Sequence, residues 1–269
     1  MGVPFLKMHG AGNDFVVVDE RHGALSLSTA RIAALADRHT GIGCDQFVVL
    51  GLADDADASL RFFNPDGGEA EACGNATRCV AELLTREIGA DAIRFRTLGG
   101  LLAAARIADG RIQVDMGEAG LRWQDIPLSG PADTLHLDLP DDAAAASMGN
   151  PHITVFGVPI EQAAHRGPAL EHHRLFPQRA NVGFAQVLDR HRIRLRVWER
   201  GAGLTLACGS GACAAVVNAA RRGLTERTAT VIVDGGALDI TWREDGHVDM
   251  TGPVATAFRG EFDPADFPA

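Results

Sequence analysis

Two cysteines of this 269-residue chain stand in the same short setting. Cys73 lies in Glu71–Val80, EACGNATRCV, and Cys208 in Leu206–Val216, LACGSGACAAV. Each follows alanine, precedes glycine and a small polar residue, and opens a run of helical character. A helix start presents unpaired backbone N–H groups and about half a positive charge, which attracts anions and favours thiolate over thiol. A cysteine placed there is expected to serve as a base. Gly74 and Gly209 leave the backbone open to a ligand, and Asn75 and Ser210 add a polar group, so each start reads as a cradle for a carboxylate. Two such starts across an interlobe cleft would put one thiol on each face of a carbon atom. That arrangement removes a proton from one face and returns one to the other. A single cysteine is commonly a small buried hydrophobe; the repeated setting argues for chemistry, whereas Cys44, Cys79 and Cys213 read as packing residues.

The elements that must position these residues also repeat. With Cys208 set on Cys73, a constant separation of 135 positions pairs Arg61 with Arg196, Gly68 with Gly203, Ala72 with Ala207 and Gly74 with Gly209. Gly12-Asn13 and Gly149-Asn150 match at 137, each followed by a strand-like run, DFVVVD and HITVFGV. Two related lobes are therefore expected, residues 1–117 carrying Cys73 and 118–269 carrying Cys208, with the Pro- and Ala-rich stretch Ile126 to Ala146 near the join and a C-terminal strand that can cross back to the first lobe. The runs FLKMH, DFVVVD, QFVVL, SLRFF, IRFRT and RIQVDM predict strands in the first lobe, and NVGFAQVL, RIRLRVW, TVIVD and ALDITW in the second. Helices are predicted from Ser28 or Thr29 to Asp37, from Gly74 or Asn75 to a capping Gly89, from about Ile160, and from Gly209 or Ser210 to Gly223. CAAVVNAA is apolar on nearly all sides, which marks a helix buried within its lobe. The fold class is α+β, each lobe a mixed β-sheet or barrel around a central helix.

Composition narrows the partners. With 46% hydrophobic residues and no apolar run of membrane-spanning length or signal-peptide pattern, the chain reads as a soluble cytoplasmic protein. A net charge of −10 argues against nucleic acid and for a small-molecule partner. Five cysteines without tight C-x₂-C pairs suggest neither a disulfide framework nor structural zinc, so no metal is expected. GSGACA from Gly209, with Asp234 about 25 residues later, imitates a dinucleotide fingerprint. Only about 60 residues follow, too few for two mononucleotide-binding halves, and the repeat partner CGNATR lacks the glycine pattern. Pyridoxal phosphate would need a lysine; the chain has one, Lys7, in the first strand, and no cofactor is expected.

HGAGNDFVVVD from His9, GCDQ at Cys44, FFNPDGGEAEACGN through Asn75, GNPH at Gly149, RANVGF at Arg179 and WERGAGLTLACGSGAC from Trp198 together resemble the diaminopimelate epimerase family over nearly the whole chain. The resemblance implies a cofactor-independent isomerase of two pseudo-symmetric lobes that interconverts LL- and meso-diaminopimelate for lysine and peptidoglycan precursor synthesis, acting as a homodimer. It implies Cys73 and Cys208 as the acid/base thiols, and Gly74-Asn75 with Gly209-Ser210 as the cradle of the reacting carboxylate. It further implies Asn13, Gln46, Asn64, Asn150, Asn181, Glu199 and Arg200 as substrate contacts, with His152 and Glu199 supporting the reacting groups. Ala76, Ser210 and Leu204 depart from the family's usual residues. Chemically, Arg200 suits a carboxylate, Glu199 an ammonium, and each Asn both donates and accepts. Two alternatives stand beside this reading: a proline- or hydroxyproline-type racemase of the same two-cysteine class, and a non-catalytic amino-acid-binding relative.

Overall fold

The computed structural model describes residues 2–268. The chain divides into two compact units, 2–114 together with 253–268, and Asp115–Gly252. The first unit contains β1 (Val3–Gly10), β2 (Asn13–Asp19), α1 (Thr29–Ala36), β3 (Gln46–Gly51), β4 (Ala58–Phe63), β5 (Glu69–Ala70), α2 (Gly74–Ile88), β6 (Ala92–Thr97) and β7 (Gly100–Arg106). β8 (Ile112–Glu118) carries the chain onward into the second unit. There follow β9 (Ala143–Ser147), β10 (Pro151–Phe156), α3 (Ala163–Glu171), β11 (Asn181–Asp189), β12 (Arg192–Glu199), β13 (Gly203–Leu204), α4 (Gly209–Arg221), β14 (Thr228–Val233), β15 (Gly236–Trp242) and β16 (His247–Gly252). β17 (Ala255–Phe262) returns to the first unit and pairs antiparallel with β1, Val3 opposite Phe262.

The strand pairings of the two units follow one plan. In the first, β1 and β2 are antiparallel, β2 and β3 parallel, β3 antiparallel to β4, β4 antiparallel to β5 and parallel to β6, and β6 antiparallel to β7. In the second, the same sequence of relations runs β9, β10, β11, β12, β13, β14, β15. The registers coincide: Phe15 faces Gln46 as His152 faces Asn181, and Phe63 faces Glu69 as Trp198 faces Leu204.

Each unit closes around one helix. In α2 every residue from Gly74 to Ala81 is buried, and it packs against β1, β2, β6 and β7. α4 buries Gly209 and all of Gly211–Ala219 and packs against β9, β10, β11 and β15. A helix buried on every side needs small residues where strands approach, and ACAAVVNAA supplies them. Its polar Asn218 is satisfied inside the core by donating from Nδ2 to Thr154 Oγ1 at 3.0 Å.

The predicted helices form, though the third opens with a 3₁₀ turn over Ile160–Gln162 before α3, and the caps expected at Ser28 and Gly89 are present. Ser28 Oγ accepts from Arg31 N at 3.1 Å at the start of α1, and Gly89 closes α2 at φ 69°. The Ala-rich stretch, read from sequence as near the join, instead contributes β9, whose five residues AAAAS are all buried. Alanine has little strand preference; here small side chains are what lets β9 lie beside α4. The second unit also ends at Gly252 rather than running to the C-terminus, because β17 completes the sheet beside β1.

Candidate active site

Cys73 is the N-cap residue of α2, extended at φ −147°, ψ 104°, and Cys208 is the N-cap residue of α4 at φ −116°, ψ 109°. Their carbonyls accept the first helical hydrogen bonds, from Thr77 N at 2.9 Å and Ala212 N at 3.0 Å. The side chains therefore stand at the positive ends of the two buried helices. Their burial differs: Cys73 is partly exposed, whereas Cys208 is 4% exposed.

At Cys208 the sequence-based expectation of a lowered thiol pKa does not hold. Burial pushes it well above the ordinary value and the Glu199 carboxyl pushes it further, against the backbone N–H of Gly211 and the hydroxyl of Ser210. Desolvation of a thiolate outweighs the helix start at a thiol this buried. Ser210 Oγ lies 3.7 Å from Cys208 Sγ. Cys44 and Cys79, each pushed up to about 12 mainly by burial, behave as the packing residues expected.

In the first unit the candidate contacts join into two groups. β1 and β2 are connected by a two-residue turn with Ala11 at φ 53° and Gly12 at φ 84°, both left-handed, which delivers Asn13 at the start of β2. Asn75 Nδ2 donates to Asn13 Oδ1 at 3.1 Å, and Asn13 Nδ2 donates to Asp45 Oδ2 at 2.9 Å. Asp45 is held in turn by Arg38 at 2.7 Å. The second group is Gln46, which donates to Asn64 Oδ1 at 3.2 Å. Asp45 was not among the sequence candidates; nothing in GCDQ distinguishes it from a turn residue.

In the second unit His152 Nε2 meets Asn150 Oδ1 at 2.9 Å, and burial, with Arg200 adding, pushes the imidazole down to about 3. The ring is therefore neutral at pH 7, with Nε2–H donating to Asn150, and its buried Nδ1 has no hydrogen-bond partner among the described residues. Asn181 is largely engaged within the fold, donating from Nδ2 to Pro151 O at 3.2 Å and accepting from Arg200 N at 2.9 Å. Glu199 accepts from Thr205 Oγ1 and lies within reach of Cys208. Arg200 is exposed, its guanidinium donating to Gln178 O at 3.1 Å.

The constant separation of 135 thus has structural meaning: Gln46 and Asn181, Asn64 and Glu199, Cys73 and Cys208, and Asn75 and Ser210 are equivalent positions of one plan, as are Asn13 and Asn150 at 137. The plan is broken chemically where Phe15 becomes His152, Asn64 becomes Glu199 and Pro65 becomes Arg200. At these three positions the duplicated frame carries charge and a titratable ring in the second lobe alone.

Lys7, the chain's one lysine, is buried, ion-paired with Asp14 at 2.5 Å and hydrogen-bonded to Gly43 O. Burial opposes ionisation of Asp14, but Arg38 and Lys7 hold its carboxyl far below the usual range. This lysine is committed to the fold.

Two lobes of one plan, each built around a helix that a cysteine opens, make up an α+β fold. The sequence profile described as diaminopimelate epimerase matches residues 5–121 and 144–257. A diaminopimelate epimerase of Gluconobacter oxydans is 61% identical, covering 97% of this chain and 99% of the relative, and one of Acidiphilium cryptum is 57% identical over 97% of each. A solved hydroxyproline epimerase of Agrobacterium vitis shares the fold at a TM-score of 0.68 and 15% identity, covering 97% of this chain and 91% of that one. The chain belongs to the diaminopimelate epimerase family.

Proposed function

We propose that the chain interconverts LL- and meso-2,6-diaminopimelate, supplying lysine and peptidoglycan synthesis, with Cys73 and Cys208 as the two bases. The observation that carries this reading is that both cysteines occupy the N-cap of their lobe's central helix, at equivalent positions. Inversion requires two thiols addressing opposite faces of one carbon, one as thiolate to take the α-proton and the other as thiol to give one back. Cys208, buried and held protonated, suits the resting donor; the more exposed Cys73 suits the resting thiolate.

An α-proton is far less acidic than a thiol of pKa about 8.5, and each unit of mismatch is about 1.4 kcal/mol. The backbone N–H groups at Gly74-Asn75 and Gly209-Ser210 oppose this barrier by binding the reacting carboxylate as charge flows into it. His152 Nδ1 and the Glu199 carboxylate are acceptors suited to an ammonium, and Arg200 suits the distant carboxylate. Asn13, Gln46, Asn64, Asn150 and Asn181 complete the polar lining. A pyridoxal cofactor has no role in this scheme, since Lys7 is engaged with Asp14. The protein acts in the cytoplasm as a homodimer in this reading.

Turnover in D₂O with LL-diaminopimelate, proline and hydroxyproline tests the reading. Early product from diaminopimelate should carry deuterium while unreacted substrate stays largely unlabelled. Turnover of proline in preference to diaminopimelate would transfer the assignment to the racemase alternative, and ligand binding without turnover would identify a binding relative.

A further inference from the structure

In the second lobe a buried carboxylate does work for which the first lobe has no counterpart. Glu171, the last residue of α3, is 4% exposed. Its Oε2 accepts from Trp198 Nε1 at 2.7 Å and its Oε1 from Gly201 N at 3.1 Å, with Arg179 3.7 Å away. A carboxylate at a helix C-terminus meets the negative end of the helix, and burial adds a desolvation cost, so these donors are what makes the placement tolerable. One turn earlier, Gly167 lets α3 close onto the same indole: a Cβ there would lie 2.5 Å from Trp198 Cβ and Cγ. Gly167 and Glu171 share one helix face.

The first lobe shows what the fold itself requires at this place. α1 lies between β2 and β3 as α3 lies between β10 and β11, and at the separation of 135 Glu171 corresponds to Ala36 and Trp198 to Phe63. Ala36 and Phe63 are both buried in one apolar cluster. The architecture is therefore satisfied without a carboxylate. What differs is the turn that follows. In the first lobe it reads Asn64-Pro65-Asp66-Gly67-Gly68, stiffened by proline and braced locally by Asp66 Oδ1 accepting from Gly68 N at 2.8 Å. In the second it reads Glu199-Arg200-Gly201-Ala202-Gly203, with Gly201 at φ 76° and Gly203 at φ 81°, and neither the proline nor the aspartate. Both turns carry two glycines; this one, without the proline and the aspartate, is held from two sides by Asn181 Oδ1 on Arg200 N and Glu171 Oε1 on Gly201 N.

We propose that Glu171 is a positioning residue for epimerisation: through Trp198 and Gly201 it fixes the turn that aims Glu199 at Cys208 and presents Arg200 to the substrate. It touches no substrate. Replacing the stiff Pro65-Asp66 pair by Arg200-Gly201 places a charged side chain in the turn, and Glu171 restores the rigidity that the exchange removes. The proposal rests on the reading of Cys208 and Glu199 given above.

The test compares Glu171→Ala, Glu171→Gln and the double variant Glu171→Ala/Trp198→Phe, which installs the first lobe's apolar pair. Measured are thermal midpoint, kcat and KM with diaminopimelate, and iodoacetamide labelling of Cys73 and Cys208 by peptide mapping. In Glu171→Ala we expect kcat/KM to fall about 10- to 100-fold, as displacement of about 1 Å at a reacting group does. Cys208 should label faster while Cys73 is unchanged. Glu171→Gln, with one acceptor oxygen for two donors, should fall between. The double variant should recover thermal stability yet keep the kinetic defect and the faster labelling. Recovery of wild-type kcat, KM and Cys208 labelling in the double variant would overturn the proposal, showing a structural role only, as would wild-type values in a folded Glu171→Ala. If Glu171→Ala does not fold, Glu171→Gln and the double variant decide by the same readouts. Full activity in Cys208→Ser would instead overturn the two-base reading on which the proposal rests.

Discussion

Asn75 at the start of α2 donates to Asn13 Oδ1 over 3.1 Å, and that bond fixes which end of each amide points where. Asp45, as a carboxylate, only accepts, so Asn13 turns its Nδ2 to it at 2.9 Å and its oxygen to Asn75. Asn75 is left with a buried Oδ1 that no described residue engages. The polarity of both amides thus originates in one aspartate. Asp45→Ala removes the acceptor and lets Asn13 flip. Since a hydrogen bond to a charged group contributes about 1.5–3 kcal/mol, kcat/KM should fall roughly 10- to 100-fold. Steady-state kinetics beside an unchanged far-UV spectrum check this.

Cys73→Ser and Cys208→Ser should each lower epimerisation by orders of magnitude, because a hydroxyl is a much weaker base at neutral pH. Ligand binding by calorimetry should persist in both. Brief alkylation of the wild type near pH 7.5 should label Cys73 before Cys208, since the latter is 4% exposed and held protonated. Faster labelling of Cys208 would reverse the assignment of resting thiolate and thiol.

His152 makes the fold acid-sensitive. Its imidazole is neutral in the folded state down to about 3, whereas the unfolded chain takes up a proton near 6.5. Its contribution to stability is therefore fully present above pH 6.5 and is lost as pH falls from 6.5 toward about 3. His152→Phe installs the residue that the first lobe carries at Phe15 and should flatten this limb of the urea-unfolding profile while depressing turnover. An acid limb unchanged from wild type would show that other groups produce it.

The small residues of β9 answer to α4. Ala145 is fully buried in the second-lobe core, and its carbonyl accepts from Arg221 at 3.0 Å. Ala145→Leu should destabilise by about 1–3 kcal/mol through overpacking, lowering the thermal midpoint by several degrees without changing the pH dependence of turnover.

Local features were legible because their causes are local. A cysteine before glycine and a polar residue marks a helix start at Cys73 and Cys208 whatever surrounds it, Ser28 and Gly89 cap helices by their own chemistry, and period-two runs such as QFVVL predict strands. The separation of 135 exposed the duplicated plan, and with it the pairing of Cys73 with Cys208 and of Asn64 with Glu199. The family resemblance supplied substrate and reaction, which spacing alone left open between two-cysteine racemases.

Tertiary structure decided what depends on distant partners. AAAAS carries no strand signal, and only the closeness of α4 makes β9 of it. A C-terminal strand crossing back is expected from the sequence, but its partner β1 and the register that sets Val3 opposite Phe262 come from backbone pairing alone. The thiol of Cys208 is pushed up rather than down because burial, a property of the assembled lobe, outweighs the helix start that the sequence makes visible. Glu171 and Asp45 are engaged by hydrogen bonds from residues about 30 positions away, Trp198 and Gly201 for the first and Asn13 for the second, and a chain read in order has no signal at that range.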